Sequence, residues 1–232
     1  MSAVPIPTPS RTRFRVGVSG HRVPPKLPAK SEAPLRAQID RILAAIAAAA
    51  REAGVDRVTP GEFVIVSSLA EGSDRIVAEA GLAAGFGLRA ILPFSRTEYA
   101  RDFKTLKSRT AFTHLLDQAS AILEMDGAAD KRPRAYEAIG FYMLENIDLL
   151  IAIWDGEAAA GRGGTAQIVN RAVADGIAVV WLDPASPHTI GLSWRGAGDE
   201  PAVKARPADT FHPTDVAGIA RVVKAILSPP AQ

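Results

Sequence analysis

Between residues 148 and 183 the chain reads DLLIAIWDGEAAAGRGGTAQIVNRAVADGIAVVWLD. Residues 149–154 form an unbroken apolar run, as expected of a strand buried on both faces of a parallel sheet. Asp155, Gly156, Gly161, Gly163 and Gly164 then break the run with a loop. From 165 to 174, Ala166, Ile168, Val169, Ala172 and Val173 recur at helical spacing, and Gly176 stops that helix. Residues 177–182 are a second apolar strand. Strand, helix, strand in this order is a βαβ unit, which fixes its own handedness. It also places the glycines between a strand's carboxyl end and a helix's amino end. Backbone N–H groups and the helix dipole favour an anion there, typically a phosphate.

The rest of the chain repeats the pattern. Apolar strands are expected at 14–18, 63–66, 88–92 and 121–125. Helices are expected at 35–53, 73–84, 97–119, 136–146 and 214–227. Residues 1–12 carry three prolines and read as a flexible arm. Residues 184–210, rich in Pro, Gly and Ala, read as a long surface loop, and 126–134 as a polar one. Strands alternating with helices predict one α/β domain over 13–232, a mostly parallel sheet of about six or seven strands with helices on both faces.

Composition removes several classes. The chain has 232 residues, 47% hydrophobic and 22% charged, which suits a packed core. A net charge of +2, without a basic block, weighs against nucleic acid as a partner. There is no cysteine, so no disulfide and no thiolate-bound metal. His21, His114, His188 and His212 lack metal-ligand spacing. No metal and no cofactor are expected. No apolar run reaches the length of a membrane span, and the first residues lack the apolar core of a signal peptide, so a cytoplasmic protein is expected.

Ligands of such sheets sit at the strands' carboxyl ends. Four loops converge there. In the first, Ser19, Gly20, His21 and Arg22, the glycine would admit a phosphate and the cations would bind it; the plain alternative is an ordinary turn. In the second, Ser67, Gly72, Ser73 and Asp74 are candidate contacts, with Ser73 read mainly as a helix cap. Glu71 and Asp74 are candidates for ribose binding or acid–base work. Pro93 closes the third strand, and Tyr99 and Phe103 follow one turn apart with Asp102 between them. They offer a base platform and a third acid–base candidate, or simply core. The fourth loop carries Asp155, Gly156, Gly161, Gly163, Gly164 and Thr165. It matches neither the phosphate-loop nor the dinucleotide glycine pattern. Trp154 and Trp181 read as packing.

Together VGVSGHR, VSSLAEGSDRIVAEAGL, ILPFSRTEYARDF and LLIAIWDGEAAAGRGGTAQIV resemble the SLOG superfamily. That Rossmann-like group joins the DNA-processing DprA (Smf) proteins with the LOG or "lysine decarboxylase-like" nucleotide hydrolases. Ser67, Ala70, Gly72 and Asp74 match the S-G-x-A-x-G-x-D segment of DprA-like domains, with Ser68 in place of the glycine. The resemblance implies a Rossmann-like domain that binds a nucleotide or nucleotide-derived molecule and forms a homodimer or higher homo-oligomer. It also implies that Ser19, Gly20, Gly72, Gly163, Gly164 and Thr165 touch phosphate or ribose. One departure is informative. The hydrolases' PGGxGTxxE glutamate falls on Ile168, which can neither move a proton nor stabilise a developing cation.

The sequence therefore predicts a nucleotide-binding or sensing domain. A nucleotide N-glycosidase using Glu71, Asp74 or Asp102 is the first alternative, and a DprA-like DNA-binding adaptor the second. Gly164→Val is expected to abolish binding while leaving the fold intact.

Overall fold

The computed structural model describes residues 13–22, 26–55, 63–158, 162–194 and 210–228. Its centre is one eight-stranded sheet, in the order β4-β3-β2-β1-β5-β6-β7-β8. The strands are β1 (Phe14–Gly20), β2 (Phe63–Ser67), β3 (Gly87–Leu92), β4 (Ala121–Glu124), β5 (Leu149–Ile153), β6 (Ala178–Leu182), β7 (Ile190–Ser193) and β8 (His212–Thr214). The first six pair in parallel and the last two antiparallel. β2 and β5 are buried at every residue, as their unbroken apolar runs require.

The helices are α1 (Glu32–Glu52), α2 (Ser73–Ala83), α3 (Arg96–Tyr99), α4 (Leu106–Gln118), α5 (Arg132–Leu144), α6 (Thr165–Ala174) and α7 (Val216–Leu227). On one face α1 packs against α2 and α7. There Leu35, Ile39, Ile42, Leu43 and Ile46 recur at helical spacing and are fully buried. On the other face α5 packs on α6. A second apolar cluster beneath them includes Ile139, Met143, Ile168, Val169 and Trp154. Chain order reverses across β1, which sits between β2 and β5. A crevice opens at such a switch point.

The structure corrects four expectations. The single helix over 97–119 is broken: α3 and a 3₁₀ turn, Ala100–Asp102, precede α4. Phe103 lies between them in an extended conformation, φ −90° and ψ 106°, and its ring is fully buried. Its side chain is core, so the backbone leaves the helix to deliver it, and Thr105 restarts the helix by accepting from Ser108 N–H at 3.1 Å. α5 begins earlier than expected, at Arg132, with Pro133 in its first turn, where a missing N–H costs nothing. The 184–210 loop contains β7, so the sheet has eight strands. α7 starts after β8, capped by Asp215, whose carboxylate accepts from Gly218 N–H at 2.8 Å. Residues 195–209 of the loop expected at 184–210, and the arm at 1–12, lie outside the described residues. Among the described residues no helix is long and apolar enough to cross a membrane.

Candidate functional site

The crevice at the β1–β5 switch is a cleft of about 450 Å³, within the range of small-molecule sites. All four sequence loops reach its surroundings, and they do different things there.

The end of β1 forms the cleft's middle. Ser19, Gly20, His21 and Arg22 all line it. Gly20 is glycine because of α2. A Cβ there would stand 2.4 Å from Ser73 Cβ and 2.6 Å from Ile153 O. The space expected to receive a phosphate at Gly20 is therefore occupied by the protein itself. His21 is pinned: its N–H donates to Ile153 O at 2.8 Å, and its C=O accepts from Ser73 N–H at 3.1 Å and Ser73 Oγ at 2.8 Å. Ser73 is thus not the helix cap. Gly72 holds that position, with φ 89° and ψ −123°, a region open only to glycine.

The loop from β2 to α2 builds a buried polar corner. Ser68 Oγ donates to Asp74 Oδ2 at 2.7 Å, and Ser67 Oγ lies 3.4 Å from the same oxygen. Leu69 is the one described non-glycine residue with positive φ, at 58°. Its N–H donates to Ser67 Oγ at 3.0 Å, and Arg75 Nε donates to its C=O at 3.0 Å. Arg75 itself is buried against the Phe103 ring, 4.3 Å from its centroid. This unusual backbone is held on both sides, which is how local strain persists at a site. Asp74 is 5% exposed and lines the cleft. Burial pushes its carboxyl above the ordinary aspartate value, against the pull of Ser68 and Arg22. Ser67, Gly72 and Ser73 support this corner without lining the cleft. Glu71 is also outside it, hydrogen-bonded by Ser108 Oγ.

The third loop contributes less than its aromatics suggested. Tyr99 lines the cleft but is 1% exposed, and its ring meets Phe94, Phe103 and Phe112. Burial raises its phenol above the usual range. Phe103 is core, so the pair offers no open stacking face. Pro93 is buried and does not line the cleft. Asp102 does not line it either. Tyr136 O–H donates to Asp102, and Arg132 bridges Asp102, at 2.7 Å, to Glu98. Arg22 lies over the Tyr136 ring, 5.3 Å from its centroid, with Asp102 4.0 Å away. Asp102 therefore orients the cation and aromatic that face the cleft, and does not face it itself.

The fourth loop brings Trp154, Asp155, Gly163, Gly164 and Thr165 to the cleft. Asp155 accepts from Lys26 Nζ at 2.9 Å, and its other oxygen lies 3.0 Å from His21 Nε2. Burial pushes its carboxyl up, but the Lys26 and His21 hydrogen bonds outweigh this and hold it at about 2. Gly163 has φ +77°, and a Cβ there would come within 2.9 Å of Glu137 N and Tyr136 Cβ. Its N–H already donates to Gln167 Oε1 at 2.7 Å, while Gln167 Nε2 donates to Glu137 at 2.6 Å. That amide is therefore not available to a phosphate. The amides of Gly164, Thr165 and Ala166 have no acceptor among the described residues, and α6 has no acidic residue in its first turn. Gly156 lies beside the cleft without lining it, and Gly161 lies outside the described residues.

Sequence reasoning missed the wall opposite Asp74. Tyr136, Ile139, Gly140 and Met143 of α5 line the cleft together with Ile168 of α6. Their spacing read as a core face, which it also is. Among the described residues no group of three His, Asp or Glu side chains could hold a metal ion.

No family model and no curated protein matches the chain. Similar solved structures include DNA processing protein A from Streptococcus pneumoniae, at 16% identity and TM-score 0.49, over 74% of this chain and 51% of that one. Another is DNA processing protein A from Helicobacter pylori, a study of its single-stranded DNA binding mode, at 18% identity and TM-score 0.46, over 73% and 65%. A third is the structural genomics target TM1055, at 18% identity and TM-score 0.40, over 72% of each chain. At these identities and scores the likeness says nothing of ligand or activity. The chain spans about half the length of the pneumococcal protein, and its described part is an α/β domain on a mostly parallel sheet.

Proposed function

We propose that the cleft binds a nucleotide or nucleotide-derived molecule, and that the protein acts as a binding or sensing domain. The observation that carries this is one juxtaposition. The start of α6, with amides that no described residue accepts from, and the Arg22 guanidinium, oriented over Tyr136, line the same cleft. A phosphate there would receive backbone donors and a charge-assisted hydrogen bond, with Thr165 Oγ1 as a further donor. The remaining ligand would lie between Asp74 and the apolar α5–α6 wall.

Turnover is the weaker reading. Of the three carboxylates considered, only Asp74 lines the cleft, so no second carboxylate of the three stands ready to share the work. Ile168, at the position where the resemblance would call for a glutamate, is an apolar part of the wall.

A thermal-shift panel tests the proposal: AMP, ADP, ATP, GMP, cyclic nucleotides, NAD, ADP-ribose and a single-stranded oligonucleotide. A ligand at about 100 times its Kd adds roughly 2.7 kcal/mol, several degrees for a domain of this size. A shift with a free nucleotide and no base release over hours supports a sensor. Base release that is lost on Asp74→Asn supports the glycosidase. A shift with the oligonucleotide alone, falling steeply with salt, would replace both by nucleic-acid binding.

A further inference from the structure

The two walls of the cleft differ in chemistry, and that difference decides which part of a ligand each can recognise. The α5–α6 wall presents Ile139, Gly140, Met143 and Ile168, with Ile91 from the end of β3. Tyr136, at the start of this wall, has its hydroxyl turned to Asp102 as donor; among the other side chains the strongest hydrogen-bonding atom is a thioether sulfur, a weak acceptor. Trp154 borders them, but its ring is buried against Trp181 and Phe211 and its Nε1–H donates to Glu157 O at 3.2 Å, so it backs the wall without adding an open face. Gly140 is where the two helices meet. A Cβ there would stand 2.3 Å from Ile168 Cδ1 and 3.0 Å from Cγ1. Ile168 therefore fills the space a side chain at 140 would take, and any atom added at 140 displaces it.

Resting on the nucleotide reading above, we infer that the base lies against this wall and is selected by its flat apolar face and size, not by its hydrogen-bonding edge. The ligand class is then nucleotides of more than one base. The polar corner at Asp74 is left to the sugar, and the start of α6 with Arg22 to the phosphate. Tyr99 and Phe103 have no part in stacking, because their rings are packed into the core. The inference has a quantitative consequence. A site that hydrogen-bonds one substrate group rejects an analogue lacking it by about 10⁴-fold or more, whereas an apolar pocket separates close analogues by roughly 10- to 200-fold.

The experiment measures Kd by calorimetry for AMP, GMP, CMP, UMP and ribose 5-phosphate. It uses the full chain and the variants Gly140→Ala and Ile168→Val, each checked for folding by circular dichroism. The four nucleotides should lie within about 200-fold of one another and all bind more tightly than ribose 5-phosphate. Both variants should change the purine-to-pyrimidine ratio and leave ribose 5-phosphate unchanged. If Gly140→Ala does not fold, Ile168→Val, which removes one methyl from the wall, decides alone. One base preferred by about 10⁴-fold, an unaltered ratio, or a variant that weakens ribose 5-phosphate as much as AMP would overturn the inference and leave the nucleotide reading in place. Failure of all five ligands to bind would overturn the inference, and with no shift from any other nucleotide or derivative in the thermal panel it would overturn that reading as well.

Discussion

α2 and α6 both start from a glycine, just after a parallel strand, on the same edge of the sheet. At α2 the place is already filled. Ser73 N–H donates to His21 O, the Asp74 carboxylate sits in the first turn, and Gly20 lies against Ser73 with no room between them. At α6 the first turn carries no acid, and the amides of Gly164, Thr165 and Ala166 have no described acceptor. Both are glycine-led helix starts, but α6 faces the cleft with three such amides and no acid, whereas α2 turns a carboxylate toward it. A glycine loop before a helix therefore marks an anion site only where the protein has not used the first-turn donors itself.

A matched pair of substitutions is the strongest way to break this contrast. Gly163→Val forces a β-branched residue to φ +77° and against the backbone of α5, so the loop must move. Nucleotide affinity should fall by about two orders of magnitude, with the far-ultraviolet spectrum kept. Gly72→Val, at φ 89°, should instead lower the melting temperature, since α2 is anchored to β1 and the core. Equal affinity losses at equal stability would erase the distinction. Gly164 differs from both: its φ of −79° and ψ of 159° suit any residue. Gly164→Val should therefore fold normally and lose binding only by crowding the ligand.

Arg22→Ala comes next. A hydrogen bond to a charged group contributes about 1.5–3 kcal/mol, so Kd should rise roughly tenfold to a hundredfold. An unchanged Kd would remove Arg22 from the anion site.

Asp74→Asn sharpens the α2 side through pH. The folded-state pKa of Asp74 is raised, chiefly by burial, so the ionised carboxylate is disfavoured in the folded chain. That penalty is absent below the ordinary aspartate value and complete above the raised one. The variant should melt above the parent at neutral pH, and the gap should close as pH falls toward the ordinary value. A gap independent of pH would mean that Asp74 is not destabilised by its charge. Thr165→Val is a smaller change, about 0.5–1.5 kcal/mol of affinity if its hydroxyl donates to the ligand. Asp155, held at about 2, makes the smallest contribution, because it is one-third exposed. Its share of stability is complete above about pH 4 and lost as pH falls toward 2. Asp155→Asn should remove that acid dependence from a melting curve.

The fold was legible wherever one pattern ruled a segment. Residues 149–153 are uniformly apolar and became β5, and 165–174 carry a clean helical stripe and became α6. Where two demands compete, the pattern misled. Tyr99, Phe103 and Leu106 continue a helical spacing, yet Phe103 leaves the helix to reach the core, and Leu106 is 73% exposed. β7 hid in a Gly- and Pro-rich stretch because four residues on an antiparallel partner need no long apolar run.

The site divides in the same way. The topology alone brings the strand-end loops together, so Ser19–Arg22 and Gly163–Thr165 were findable. The contacts that decide their roles span distant residues: Ser73 against Gly20, and Glu137 through Gln167 to Gly163. Local spacing carries no trace of them. The α5 wall stayed hidden because Ile139 and Met143 are both core and cleft, and composition does not distinguish the two.

The most direct measurement is amide chemical shift in isotope-labelled protein titrated with AMP. The account predicts that the amides of Gly164, Thr165 and Ala166 move most, and that the amide of Ser73, already given to His21 O, moves little. If the α2 amides shift and the α6 amides stay still, the anion site lies at the other helix and the central contrast is wrong.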